Sequence, residues 1–233
     1  MTYRHRLEST WPRVAERIAA AGDRAGRSDA VVVVAVTKTH PADAVLAARD
    51  AGLRCCGENR VQELAEKQAA LGDNAGIEWH LIGHLQRNKV RQALPLCDLI
   101  HSVDSERIAR EISDEAVRQE RVVDVLVQVN ASGEETKGGF EVAAATDAAG
   151  LVCALPNVRV RGLMTMAPFT DDEDTLRAAF RATRSAFEQC ARELPQFKAE
   201  HLSMGMSNDF EIAIEEGATM VRLGTVLFGE RQR

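Results

Sequence analysis

Residues 30–40 read AVVVVAVTKTH. An uninterrupted apolar run from Ala30 to Val36 leads directly into Thr37 and Lys38. Consecutive valines are stiff at χ1 and pack well on a pleated surface, so the run predicts a strand. Its lack of polar alternation predicts burial on both faces, as in a parallel sheet covered by helices. The strand therefore ends by delivering an ammonium group to the edge of a core.

Working outward, similar runs occur at 31–37, 53–57, 77–82, 98–102, 122–129, 158–164, 199–203 and 219–223. Segments rich in Ala, Glu, Arg and Leu separate them, at 41–51, 59–71, 105–120, 140–154, 172–193 and 208–216. The strand starts recur every ~27 residues, close to the roughly 30 of a strand–helix–strand unit. Eight such repeats without a low-complexity linker predict one (β/α)8 TIM barrel domain spanning 1–233. A doubly wound open sheet is the alternative. It usually carries a Gly-rich turn after its first strand, where this chain has TKTHP. Ahead of the first strand, Leu7, Trp11, Val14 and Ile18 mark one face of an additional N-terminal helix within 1–27. Pro12 either kinks that helix or moves its start to Thr10, and Gly22 and Gly26 close it.

Composition narrows the function classes. The 233 residues carry 29 basic and 35 acidic side chains, a net charge of -6. This argues against a nucleic-acid surface, which favours a basic face. The five cysteines include no CxxC and no Cys/His metal spacing, so they read as reduced thiols of a cytoplasmic chain, with Cys55 and Cys56 as packing residues. The N-terminus lacks a signal-peptide core, and no apolar run approaches the roughly 20 residues of a membrane span.

In a TIM barrel, chemistry gathers at the C-terminal ends of the strands. Lys38 sits there at the end of an apolar strand. Its reading as a solvated rim charge competes evenly with that of a partly desolvated amine able to form a Schiff base. SMGMSND (203–209) follows the seventh strand and LGT (223–225) the eighth. Their small residues let backbone N–H groups approach an anion, and Ser207 or Asn208 is placed to cap the next helix. Loops after the last two strands are the common phosphate site of such barrels. A Schiff-base lysine opposite a phosphate site points to pyridoxal 5′-phosphate (PLP). His80 and His84 have metal-pair spacing only on a helix. On a strand they stand ~13 Å apart, so His80 reads as a packed or hydrogen-bonded side chain. SGEETKGG (132–139) is a polar loop bringing a second amine, Lys137, near the mouth.

These motifs carry a resemblance. AVTKTHP (35–41), GENRVQEL (57–64), WHLIGHLQRNKV (79–90), HSVDS (101–105), VNASGEETKGGF (129–140), GLMTMAP (162–168) and the long run from Leu202 to Arg231 resemble the pyridoxal-phosphate homeostasis protein family. The likeness covers essentially the whole chain; ETKGG departs from the serine-containing loop common in the family. The resemblance implies a barrel similar to the N-terminal domain of alanine racemase, without that enzyme's C-terminal β domain. It implies PLP held as a Schiff base on Lys38, with Ser207, Gly224 and Thr225 at the phosphate and Asn59 beside the cofactor. It also places Arg222 at the pyridine nitrogen. A permanent guanidinium cation there disfavours ring protonation and makes the ring a poorer electron sink.

Two readings follow. One is a non-catalytic carrier or regulator in intracellular PLP homeostasis, monomeric, with PLP-dependent apo-enzymes as partners and no membrane or nucleic acid. The other is a PLP-dependent amino-acid racemase or related enzyme. Racemisation needs an acid–base group on each face of the substrate, and the only tyrosine is Tyr3. An aldolase-type barrel is a third reading, disfavoured by the motifs. The chain ending at GERQR leads us to expect an open mouth, which suits exchange better than turnover.

Overall fold

The computed structural model describes residues 2–72, 76–134 and 138–230. Strands β1 (Val32–Val36), β2 (Cys55–Glu58), β3 (Glu78–Leu81), β4 (Leu99–Val103) and β5 (Val123–Asn130) precede a two-residue strand β6 (Phe140–Glu141). Then come β7 (Val158–Thr165), β8 (His201–Ser203) and β9 (Met220–Leu223). The order β4-β3-β2-β1-β9-β8-β7-β5 closes on itself through β4 and β5, and every pairing is parallel. This is the (β/α)8 barrel expected, each predicted run forming one of its strands. The closing pair rules out the open sheet.

The helices are α1 (Tyr3–Arg24), α2 (Ala42–Asp50), α3 (Val61–Leu71), α4 (Val90–Ala93), α5 (Glu106–Arg118), α6 (Ala145–Cys153), α7 (Glu173–Glu193), α8 (Phe210–Glu215) and α9 (Thr225–Phe228). The later start suggested at Thr10 does not hold. Helix α1 starts at Tyr3, with Thr2 accepting from the His5 amide, and continues through Pro12. Thr10 is no cap: its hydroxyl donates to the carbonyls of Arg6 and Leu227, each 3.0 Å away. Leu7, Val14 and Ala21 are buried on one stripe, and α1 packs on α2, α8 and α9. Helix α6 begins five residues later than the periodicity suggests, because Gly139 (φ +130°) keeps the chain extended into β6. Helices α4 and α9 went unseen because four residues cannot display a helical period.

Alternation along the strands separates two cores. Val34, Cys55, Leu99, Leu126, Met164 and Met220 form a small cluster inside the barrel, distinct from the large one between sheet and helices. In register with the inner set, and also buried, are His80, His101, Ser203 and Arg222. The interior is thus apolar toward the strand starts on one side and strongly polar across its middle. Among the described residues no helix is long and apolar enough to cross a membrane.

Candidate functional site

The C-terminal mouth of the barrel holds a cavity of about 690 Å³. Lys38, Asn59, Ser207, Arg222, Gly224 and Thr225, the six residues singled out from sequence, all line it. Lys137 lies outside the described residues.

Lys38 is half-buried in the turn after β1. The next residue, Thr39, has φ +66°, a left-handed conformation that is uncommon for a β-branched residue. An ionic brace beneath the turn holds it. The Lys67 ammonium, on α3, donates to the Thr37 carbonyl (2.7 Å) and to Glu58 Oε1 (2.6 Å) and Glu63 Oε1 (2.9 Å). The Thr37 hydroxyl donates to the same Glu58 oxygen at 2.5 Å, and the Thr39 amide donates to Glu63. Sequence reasoning passed over all three charges. Their one legible trace is the Glu63–Lys67 spacing of four on a helix.

Glu58 is fully buried, and its Oε2 has no hydrogen-bond partner. Burial pushes its carboxyl up to about 7, against the downward pull of Lys67 and Thr37. A carboxyl raised in the folded state binds its proton more tightly there than in the unfolded chain. Its contribution to stability is therefore present at low pH and lost as pH rises from about 4.5 to 7. We expect the stability difference between wild type and Glu58→Gln to change across this window and to level off above it. Denaturation curves at pH 5, 6, 7 and 8 would test this; a difference independent of pH counts against the raised carboxyl.

On the far wall, Gly205 (φ +92°) turns the chain after β8 where a Cβ would lie 2.6 Å from that of Ala213. The Met206 amide donates to Asp209 Oδ1 at 2.5 Å, which shapes the loop. The expected cap on α8 does not form. Asp209, not Ser207 or Asn208, holds the cap position. Instead the Ser207 hydroxyl reaches across to the next loop, where the amides of Gly224 (3.2 Å) and Val226 (3.3 Å) both donate to it. Two backbone donors meet at the Ser207 oxygen, which leaves that hydroxyl's own proton to donate to an anionic oxygen in the cavity.

Arg222 is buried, and its guanidinium donates to the Ser203 carbonyl (2.9 Å), the Ser203 hydroxyl (2.7 Å) and the Thr165 carbonyl (2.8 Å). Burial lowers it to about 10, so it remains a cation at neutral pH. Since these acceptors are neutral, its charge stays available to a ligand. Behind it, Ser203 Oγ lies 3.1 Å from His101 Nδ1, and His101 Nε2 lies 2.9 Å from His80 Nδ1. His80 is hydrogen-bonded, as its place on a strand suggested. Burial holds His101 well below the usual imidazole range, hence neutral.

Asn59 is placed by a close backbone approach. A Cβ on Gly83 would lie 2.3 Å from the Asn59 carbonyl oxygen. Gly83→Ala must therefore push the β2–α3 turn aside, at a cost of about 1–3 kcal/mol. We expect a lowered denaturation midpoint together with weakened ligand binding; unchanged binding would mean that the Asn59 turn does not contribute.

The rim contains one surprise. Tyr3 Oη lies 3.1 Å from Nδ1 of His40, which also lines the cavity. The only tyrosine of the chain, remote in sequence from every motif, thus touches the site through its neighbour. Burial pushes the Cys56 and Cys97 thiols up to about 12 and that of Cys153 to about 11, which keeps these three protonated.

Comparison with known proteins agrees with this architecture. The family model described as alanine racemase, N-terminal domain, matches residues 12–232. A pyridoxal phosphate homeostasis protein of Aquifex aeolicus is 46% identical over 221 residues, 94% of this chain and 96% of that protein. A solved structure from Bifidobacterium adolescentis superposes with a TM-score of 0.91 at 40% identity, covering 97% of this chain and 96% of that one. PipY of Synechococcus elongatus PCC7942, solved with PLP bound, superposes with a TM-score of 0.80 at 38% identity, over 93% of this chain and all of that one. With a barrel of this topology and likeness along nearly its whole length, the chain belongs to the alanine racemase N-terminal domain family, among the members called pyridoxal phosphate homeostasis proteins.

Proposed function

We propose that the mouth cavity binds PLP, with the Lys38 amine condensed onto the aldehyde as a Schiff base and one water released. Bound PLP would supply a reversible covalent link; the chain's own groups do the positioning. Ser207, with the Gly224 and Val226 amides and Thr225 beside them, takes the phosphate. Arg222 faces the pyridine nitrogen, and its charge disfavours ring protonation. Asn59 lies alongside. The observation that carries this reading is the convergence, in one cavity, of the strand-end lysine and the anion-ready donors on the opposite loops. The relative solved with PLP bound supports the same ligand.

In this reading the protein works in PLP homeostasis, holding a reactive aldehyde and releasing it to apo-enzymes in the cytoplasm, as a monomer and without catalysis of its own. The names of its relatives support that role. The racemase reading draws on the shared family barrel and on the Tyr3–His40 contact, an acid–base pair at the rim.

One experiment separates them. The purified chain is loaded with PLP, its visible absorbance recorded, and the product reduced with borohydride and mapped by peptide mass. We expect one reduced cofactor per chain, on Lys38. An adduct elsewhere, or none, would overturn the binding reading. Single amino acids are then added and followed by chiral analysis; sustained turnover would favour the enzyme.

A further inference from the structure

At the opposite end of the barrel, we propose a divalent transition-metal site of the zinc class, built by Cys55 Sγ, the Glu78 carboxylate and His80 Nε2. The three residues come from adjacent strands. Cys55 and Glu78 are direct register partners of β2 and β3, and His80 follows on the same inward row. Their candidate ligand atoms all lie within 4.8 Å of one another.

The separations match those between ligand atoms around a metal. Cys55 Sγ is 3.5 Å from Glu78 Oε2, and His80 Nε2 is 3.4 Å from Glu78 Oε1. Around a tetrahedral zinc, ordinary bond lengths place thiolate and carboxylate oxygen about 3.6 Å apart, and imidazole nitrogen and oxygen about 3.4 Å apart. The two contacts use the two oxygens of Glu78, so the carboxylate stands between the thiol and the imidazole.

A second observation concerns the imidazole. His80 is fully buried, and its Nε2 has no hydrogen-bond partner. Leaving a polar atom without a hydrogen bond in the interior is costly, and here its near neighbours are the Glu78 carboxylate at 3.4 Å and the Cys55 sulfur within 4.8 Å. A metal would satisfy it. The other nitrogen of the ring, Nδ1, is held by His101 at 2.9 Å, the outer contact that orients metal-binding imidazoles. With metal on Nε2, the His80 proton sits on Nδ1 and donates to His101 Nε2. His101 then donates from Nδ1 to Ser203, so every tautomer on this path is fixed.

The donor set selects the metal. One thiolate, one imidazole and one carboxylate suit zinc or cobalt and disfavour calcium and magnesium. Glu78 is about half exposed, which leaves an entry path and a fourth position for water. Without metal, burial and the neighbouring carboxylate keep the Cys55 thiol protonated. A dication reverses that local balance, so binding one metal ion releases the thiol proton to solvent. Motif spacing does not find the set, because its members stand 23 and 25 positions apart and meet only across the ladder.

The test uses the full-length protein, freed of metal by a chelator, untagged and kept reduced with a non-thiol reductant. It is titrated with cobalt(II) chloride. We expect one equivalent bound per chain, with a thiolate-to-cobalt charge-transfer band that zinc(II) chloride abolishes. Cys55→Ser should remove the band. Glu78→Gln, at the exposed rim and safe for folding, should weaken binding by roughly 10–100-fold. His80→Gln should do the same, with circular dichroism to check the fold. Absence of the band, its survival in Cys55→Ser, or unchanged affinity in Glu78→Gln would each overturn the site.

Discussion

Replacing Lys38 by alanine should abolish covalent retention of PLP. The wild-type chain is expected to keep one reduced cofactor after borohydride and denaturation; Lys38→Ala should keep none, and PLP should dissociate from it roughly 100-fold or more faster or at correspondingly higher concentration, about 3 kcal/mol of lost affinity. The variant should still fold, because Lys38 is half-buried in the turn after β1 and is not a member of the hydrophobic core. Equilibrium dialysis and intact mass spectrometry read the two effects separately. Residual weak binding in Lys38→Ala that disappears in Lys38→Ala/Ser207→Ala would assign the remainder to the anion-binding end. Full retention of the adduct in Lys38→Ala would place the link on another amine.

The second large effect belongs to a residue that never meets the ligand. Lys67→Met should lower the unfolding free energy by about 3–5 kcal/mol, the usual cost of breaking a buried ion pair by removing one partner. Lys67 is almost fully buried, and its ammonium satisfies a backbone carbonyl and two carboxylates. Without it, Glu58 loses its counter-charge and stays protonated to higher pH, and the Thr37 carbonyl loses its donor, so the turn that presents Lys38 loosens. Urea denaturation should show the midpoint fall, and loading with PLP should slow. The double variant Lys67→Met/Glu58→Leu should recover part of the stability, because an apolar pair no longer buries an unpaired carboxyl. If Lys67→Met alone is as stable as wild type, the brace is dispensable.

These effects show where sequence reading succeeds and where it stops. The barrel was legible because each strand is a short apolar run, and the spacing of those runs leaves room for one crossover helix each. The AVVVVAV stretch is the clearest case: Val34 and Ala35 are completely buried between the inner cluster and the outer helices. The mouth residues were legible because strand ends and small-residue turns sit at fixed places in that repeat. The Glu58–Lys67 brace was not. It joins the end of a strand to the second turn of a helix, and nothing in the spacing says that both side chains turn inward. The polar path from His80 through His101 and Ser203 to Arg222 was equally hidden, since each step crosses to a different strand. Pro12 misled for another reason. A proline inside a helix costs stability in isolation, yet Leu7, Val14 and Ala21 dock α1 on the barrel strongly enough to carry the helix through it.

Helix α1 brings both extremities of the chain to one place. Tyr3 touches His40 at the rim, Arg6 donates to the carbonyl of Phe228, and Gly229 lines the same cavity. For the bench scientist this means that Tyr3 and Gly229, close in sequence to where an affinity handle is joined, stand beside the ligand's doorway. A polyhistidine tail there binds metal ions and can imitate the cobalt signal sought above. Cofactor stoichiometry, exchange rates and cobalt spectra are therefore best collected on protein from which every appended residue has been cleaved.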